Sequence, residues 1–516
     1  MTQDVIVRGV PRSIALDGWW LASESVDMPG SGGGGAGDWG RVLGAGRSGG
    51  VAGLLLLILV GDILFWGHHL GLSLALFAGA VFAVAVLATK PRRGVLYPAI
   101  LLLVTVLPIV EHLQLLSLAF LAAGLIASLA WLRIPPGAGW DMLLSGVARL
   151  SAAVPVLGVR DSGRALGHVR QVLKARAGRP VVSTTFLRNW AFPVGGTLVL
   201  GALLVEANPV MERILSNSLR IDLGLVELAE RVFFWLGLAL LVWPLLNAPE
   251  PSVGAKLALK RPRLGLNSGS VLRALTMFNL LLAVQTLMDA SILLGGADLP
   301  EGMTYATYAH RGAYPLLTTA VLAGGFVLAA RPFLGDHRAL KPLLLLWLGQ
   351  NVLLSLSAAL RLELYIDTYG LTYLRIHALI WIGLVAIGLA LTGWQILRGR
   401  TNGWLLLRGA GLGAATLYAC CFVNFAGVIA ETNLARWERN DWSYICTLGP
   451  TASAGVTRAM AANPWITLPS YAEYCPALRT PIIDGWRDWG FRNWRVSDYL
   501  AGETLAERAY ESPSRR

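Results

Sequence analysis

LLLAVQTLMDASILLGG (Leu280–Gly296) is an apolar run that carries Gln285 and Asp289 four residues apart, on one face if the segment is helical. Directly after it comes EGMTYATYAHRGAYPLL (Glu301–Leu317), where Tyr305, Tyr308, His310, Arg311 and Tyr314 crowd together before the next apolar run begins. The first run belongs to a segment, 271–295, long enough as a helix to cross roughly 30 Å of hydrocarbon. The question is whether that pattern recurs.

It does. Hydrophobic residues make up 55% of the 516 positions and charged residues 14%, well under the roughly 25% of an ordinary soluble chain. Continuously apolar segments are expected at about 50–66, 70–89, 94–110, 114–133, 192–207, 226–247, 271–295, 313–331, 342–360, 374–397 and 405–430. Continuous rather than alternating hydrophobicity favours helices over a barrel. The fold expected is all-α: a polytopic transmembrane helix bundle of about eleven spans, with a small helical external C-terminal cap.

The formal charge of +12 does not point to nucleic acid, because Lys and Arg gather in connecting segments. Loops on one side hold Lys90, Arg92 and Arg93, the series from Arg133 to Arg188, Lys256 to Arg273, Arg331 to Lys341, and Arg398 to Arg408. The other side carries Arg213, Arg220, Arg311, Arg361 and Arg375. The positive-inside rule then places the N-terminus in the cytoplasm. An odd number of crossings leaves the C-terminus outside.

Five regions follow. Residues 1–48 read as a flexible Gly-rich cytoplasmic tail. Residues 49–133 hold the first four spans, 134–191 form a basic amphipathic cytoplasmic loop, 192–430 hold the remaining seven spans, and 431–516 form an external Trp-rich region. In the loop, Leu143, Val147, Leu150 and Val154 recur at helical spacing beside cations, which suits an anionic leaflet or a cytoplasmic regulatory protein. The C-terminal region holds Trp437, Trp442, Trp465, Trp486, Trp489 and Trp494, an aromatic density that disordered tails lack. Its Cys446 and Cys475 are candidates for a disulfide in an oxidising exterior, free thiols being the other reading.

Ionisable residues at membrane depth are costly and mark functional candidates. By the topology above, Asp289, Glu301, Tyr305, Tyr308, His310, Arg311, Arg361, Tyr365 and Arg375 converge on the external side as a candidate polar pocket. An ion pair from Asp289 to Arg361 or Arg375 is expected, since a lone buried charge is expensive. Asp62, in the first span, and Gln350 and Asn351, within the ninth, are further polar intrusions. The bland reading of the tyrosines and arginines is an interfacial belt with snorkelling side chains. HExxH and Walker A strings are absent, and the histidines lack ligand spacing. No metal or cofactor is expected.

The run from MFNLLLAVQTLMDAS to YAHRGAYPLL resembles the signature region of a bacterial inner-membrane family catalogued only as a domain of unknown function. LELYIDTYGLTYLR, LFWGHHLGLSLALF, WSYICTLGP and DWGFRNWR are similar to further segments of it. The resemblance covers most of residues 50–500 and implies a multi-pass protein of the bacterial inner membrane. It supplies no activity, although members are loosely described as membrane components of two-component regulation. Three functions stay open: a non-enzymatic regulatory or sensory component, a transporter or channel for a small polar solute, and a membrane enzyme acting on envelope substrates. The expected partners are the lipid bilayer and, through 134–191, a cytoplasmic regulator.

Overall fold

The computed structural model describes residues 49–89, 94–135, 142–152, 225–246, 267–293, 321–436 and 441–511, with a few isolated positions besides. The tail 1–48, most of the 134–191 loop, the expected span 192–207 and the stretch 301–317 lie outside the described residues. Everything regular among the described residues is helical.

The first helices are α1 (Gly49–Phe65), α2 (Leu72–Thr89), α3 (Leu96–Glu111) and α4 (Leu115–Leu132), followed by α5 (Met142–Ala152) and α6 (Leu225–Leu246). Next come α7 (Ser268–Leu293), α8 (Val321–Phe333), α9 (Leu340–Tyr369) and α10 (Tyr373–Leu397). The chain closes with α11 (Asn402–Cys420), α12 (Phe425–Arg436), α13 (Trp442–Thr447), α14 (Ser453–Ala462) and α15 (Phe491–Glu511).

Among the described residues six helices are long and apolar enough to cross a membrane, or seven if the pair α11 and α12 counts as one. Helices at 50–66 and 94–110 are present but shorter. The 17 residues of α1 span about 25 Å at 1.5 Å per residue. The last expected span differs more: the chain breaks at 421–424 and turns by 68° between α11 and α12. α12 also runs across the 430/431 boundary. Its Ala426, Ile429, Ala430 and Leu434 are buried with Trp442, Ile445, Ala452 and Ala477 in one C-terminal core.

Two larger apolar cores hold the bundle. Leu57, Val81, Ile109, Leu129 and Val242 pack α1–α4 with α6, while Val271, Leu275, Ala323, Leu340, Leu344 and Leu389 pack α7–α10. Large apolar side chains also point outward, among them Leu59, Leu87, Leu103, Phe233, Leu281 and Leu407. In water so much exposed apolar surface would drive aggregation, whereas hydrocarbon solvates it. The chain fits a multi-pass membrane protein.

Helix directions can be read from cross-helix contacts. Gly53 lies against Leu246 and Gly61 against Leu238, so α6 runs antiparallel to α1. Arg133, just after α4, donates to Leu245 O and Leu246 O at 2.5 and 3.0 Å, placing the ends of α4 and α6 together. Asn279 meets the carbonyl of Leu343, and Asp289 meets Ser357 and Arg361. The register rises on both helices, so α7 and α9 are parallel.

Candidate functional site

Asp289 sits one turn before the end of α7, buried to 4% exposure. Its Oδ1 accepts from the Arg361 guanidinium and from Gln285 Nε2 (2.8 Å), and its Oδ2 accepts from the Ser357 hydroxyl. Helical spacing explains the set. Gln285 is one turn back on the same face, and Ser357 and Arg361 are four apart on the α9 face that meets it. A carboxylate with three donors and a matched cation is tolerable in low dielectric, where either charge alone is not.

Arg375 takes a different route. Its guanidinium donates to the carbonyls of Tyr369 and Gly370, which end α9, and lies 4.4 Å from the Tyr365 ring centroid. A cation at those carbonyls offsets the negative end of the helix dipole. Asp289 thus pairs with Arg361, while Arg375 engages the end of α9 and the Tyr365 ring. Glu301, Tyr305, Tyr308, His310 and Arg311 lie outside the described residues.

Two further carboxylate–arginine pairs were not picked out from the sequence. Asp62 of α1 accepts from Arg231 and from Trp235 Nε1 (2.8 Å) of α6, and the Arg231 guanidinium lies 5.7 Å from the Trp66 ring. Glu111, at the end of α3, accepts from Arg492 Nε at 3.2 Å, and Arg492 also donates to Cys421 O at 2.6 Å. Burial lowers the affinity of Arg492 for its proton, against the pull of Glu111. The neighbouring His112 imidazole is pushed down to about 4 by burial, with Arg492 adding repulsion. Each pair was accessible to one rule: a lone carboxylate in an apolar run implies an arginine at similar depth elsewhere.

Arg492 belongs to a wider docking surface. Arg487 O and Trp489 O accept from the backbone N–H groups of Ser73 and Leu72, both at 3.0 Å. These satisfy donors that the first turn of α2 cannot bond internally. Arg487 Nε donates to Ile63 O at 3.0 Å. Asn433 of α12 grips the next turn, accepting from Leu371 N (2.6 Å) and donating to Leu371 O (2.9 Å), while Tyr444 Oη accepts from Tyr373 N at 3.0 Å. The turns α1–α2, α3–α4 and α9–α10 thus all meet the C-terminal region. Within it, Cys446 and Cys475 are joined as a disulfide.

No group of three or more side chains able to hold a metal occurs among the described residues. In comparison with known proteins, the family described as a domain of unknown function (DUF4153) matches residues 96–459. No curated protein and no solved structure matches the chain.

Proposed function

Because the chain belongs to the DUF4153 family, whose description names no activity, we propose its role from the geometry: a non-enzymatic regulatory or sensory membrane component. The carrying observation is the C-terminal region docked on three interhelical turns. Anything that alters helix packing changes the seat of that region, and a ligand on that region biases the helices in return. The buried acids support this reading, since Asp62, Glu111 and Asp289 are each engaged by an arginine rather than poised for proton transfer to a substrate.

The proposed setting is the bacterial inner membrane, with eleven crossings, the N-terminus inside and the C-terminal cap outside. Helix directions support it. α4 ends beside the end of α6, as the proposed crossing between them requires. Parallel α7 and α9 call for a crossing between them, where α8 lies. The arginines Arg133, Arg331, Arg398 and Arg400 fall at helix ends away from the C-terminal cap, as cytoplasmic cations should.

The basic loop 134–191 is the proposed contact with a cytoplasmic regulator. Photo-crosslinking from that loop in intact cells is expected to recover a sensor kinase or another regulatory protein; recovery of lipid alone overturns the regulatory reading. A second reading, a transporter or channel for a small polar solute, draws on polar Gln350 and Asn351 in mid-α9.

A further inference from the structure

α1 is short for the layer it crosses. Its 17 residues rise about 25 Å, against roughly 30 Å of hydrocarbon. Leu55, Leu56, Leu59 and Ile63 face outward along one side of it, a row suited to acyl chains rather than water. Past Phe65 the chain turns through Gly67, at a φ of +71°, and through the exposed His68 and His69 before α2 begins at Leu72. The helix itself therefore leaves about 5 Å of apolar height uncovered, the difference between the two lengths.

The C-terminal region occupies that end of α1. Arg487 Nε donates to Ile63 O at 3.0 Å, one of the last-turn carbonyls that a helix cannot satisfy internally. A cation there also suits the negative end of the helix dipole. The same guanidinium lies 4.7 Å from the Trp486 ring centroid. The loop that carries both residues is tied down along its length. Ser497 donates to Pro481 O at 3.1 Å, Asp488 accepts from the N–H groups of Asp484 and Gly485 at 2.8 Å each, and Arg487 O and Trp489 O hold the start of α2. None of these bonds uses the side chain of Ile482 or Trp486, yet the first is 80% exposed and the second 50%. The loop's polar rim is formed by Asp484, 3.8 Å from His69, both largely exposed. Such a pair is costly in hydrocarbon and belongs among headgroups, the depth at which tryptophan is enriched and arginine snorkels.

We propose that residues 482–487 form a lipid-contacting collar around the end of α1, with Ile482 and Trp486 seated at the boundary between headgroups and acyl chains. Arg487 fixes the collar to the helix. The occupant of this surface is phospholipid because the loop is bonded to Ile63, itself a member of the outward-facing row, and continues that row beyond the last turn. The collar raises the apolar boundary where α1 falls short, so the surrounding bilayer needs less thinning to match it. This inference depends neither on the regulatory reading nor on which side of the membrane the C-terminus occupies.

The test is spin labelling of the full chain in liposomes of phosphatidylethanolamine and phosphatidylglycerol, in a Cys420→Ser background with the disulfide kept. Ile482→Cys and Trp486→Cys replace exposed side chains, and Asp498→Cys, at an exposed acid of α15, serves as the aqueous reference. The ratio of oxygen access to nickel-chelate access is expected to be several-fold higher at 482 and 486 than at 498. A photo-crosslinker at position 482 is expected to yield phospholipid adducts. Ratios at 482 and 486 no higher than at 498 overturn the proposal. So does a crosslink that goes only to another segment of this chain or to a second copy.

Discussion

Asp289 can leave water because Arg361, Ser357 and Gln285 replace its hydration shell. Removing Arg361 alone, as Arg361→Met, is expected to cost about 3–5 kcal/mol, because an unmatched carboxylate remains buried. The double change Asp289→Leu with Arg361→Met is expected to recover most of that loss. Thermal unfolding of the two variants checks the order, and equal Tm values would contradict it. His112 carries a pH prediction. Free, it takes up a proton near pH 6.5; seated against Arg492, not until about pH 4. Above pH 6.5 both states are neutral and docking of the C-terminal region is unpenalised. As the pH falls towards 4, the undocked state gains a proton that the docked state does not. Docking then weakens by up to about 1.4 kcal/mol per pH unit. Hydrogen exchange across 485–495 is expected to speed up at pH 5 relative to pH 7.5 beyond the intrinsic pH effect, and His112→Asn should flatten the difference. The need of Asp289 for an arginine was legible in the chain, but the choice between Arg361 and Arg375 was not. Arg375 is drawn off by the Tyr369 and Gly370 carbonyls, a consequence of where α9 stops.

Helix ends decide much of what happens at the scale of elements. Gly71, immediately before α2, has no room for a side chain, since an added Cβ would stand 2.5 Å from the Asp488 carbonyl carbon. Gly71→Ala is expected to unseat residues 487–489 from the α2 N-terminus, and limited proteolysis near Trp486 should accelerate several-fold. Unchanged cleavage would show that the contact is dispensable. Gly455 of α14 meets the Gly427 backbone of α12 just as closely, and Gly455→Ala should loosen the C-terminal core. The continuous apolar runs made α2, α4, α6, α7, α9 and α10 readable as membrane-length helices, because each is long and has no proline near its centre. The break at 421–424 was hidden by continuous hydrophobicity through Cys420, Cys421, Phe422 and Val423. Arg492 and Thr451 bond the Cys421 carbonyl and the Asn424 amide there, so the turn is held by residues far along the chain.

For the whole molecule, the disulfide offers a test of sidedness. The link between Cys446 and Cys475 closes a loop across 29 positions, worth roughly 3–4 kcal/mol to the C-terminal core. In intact cells, mild reduction followed by a membrane-impermeant maleimide is expected to label the partly exposed Cys446, while Cys475 is as buried as Cys421. Buried Cys421 is expected to stay unlabelled. Labelling that requires permeabilised cells would place the C-terminus inside and reverse the topology. How the C-terminal region attaches could not be seen from its composition: the tryptophans signalled order, but the anchoring bonds come from Arg487 O, Trp489 O and Asn433, which carry no pattern.

The bonds from Leu72 and Ser73 to Trp489 and Arg487 join the start of α2 to residues made long after it. During synthesis the opening turn of α2 therefore lacks these partners until Trp489 has left the ribosome. A stop codon shortly before Arg487 would leave every preceding helix intact in sequence and yet strip the ends of α2 and α3 of their partners. Quality-control proteases that sense such frayed helix ends would in this way distinguish a chain that includes Arg487 and Trp489 from one cut short before them.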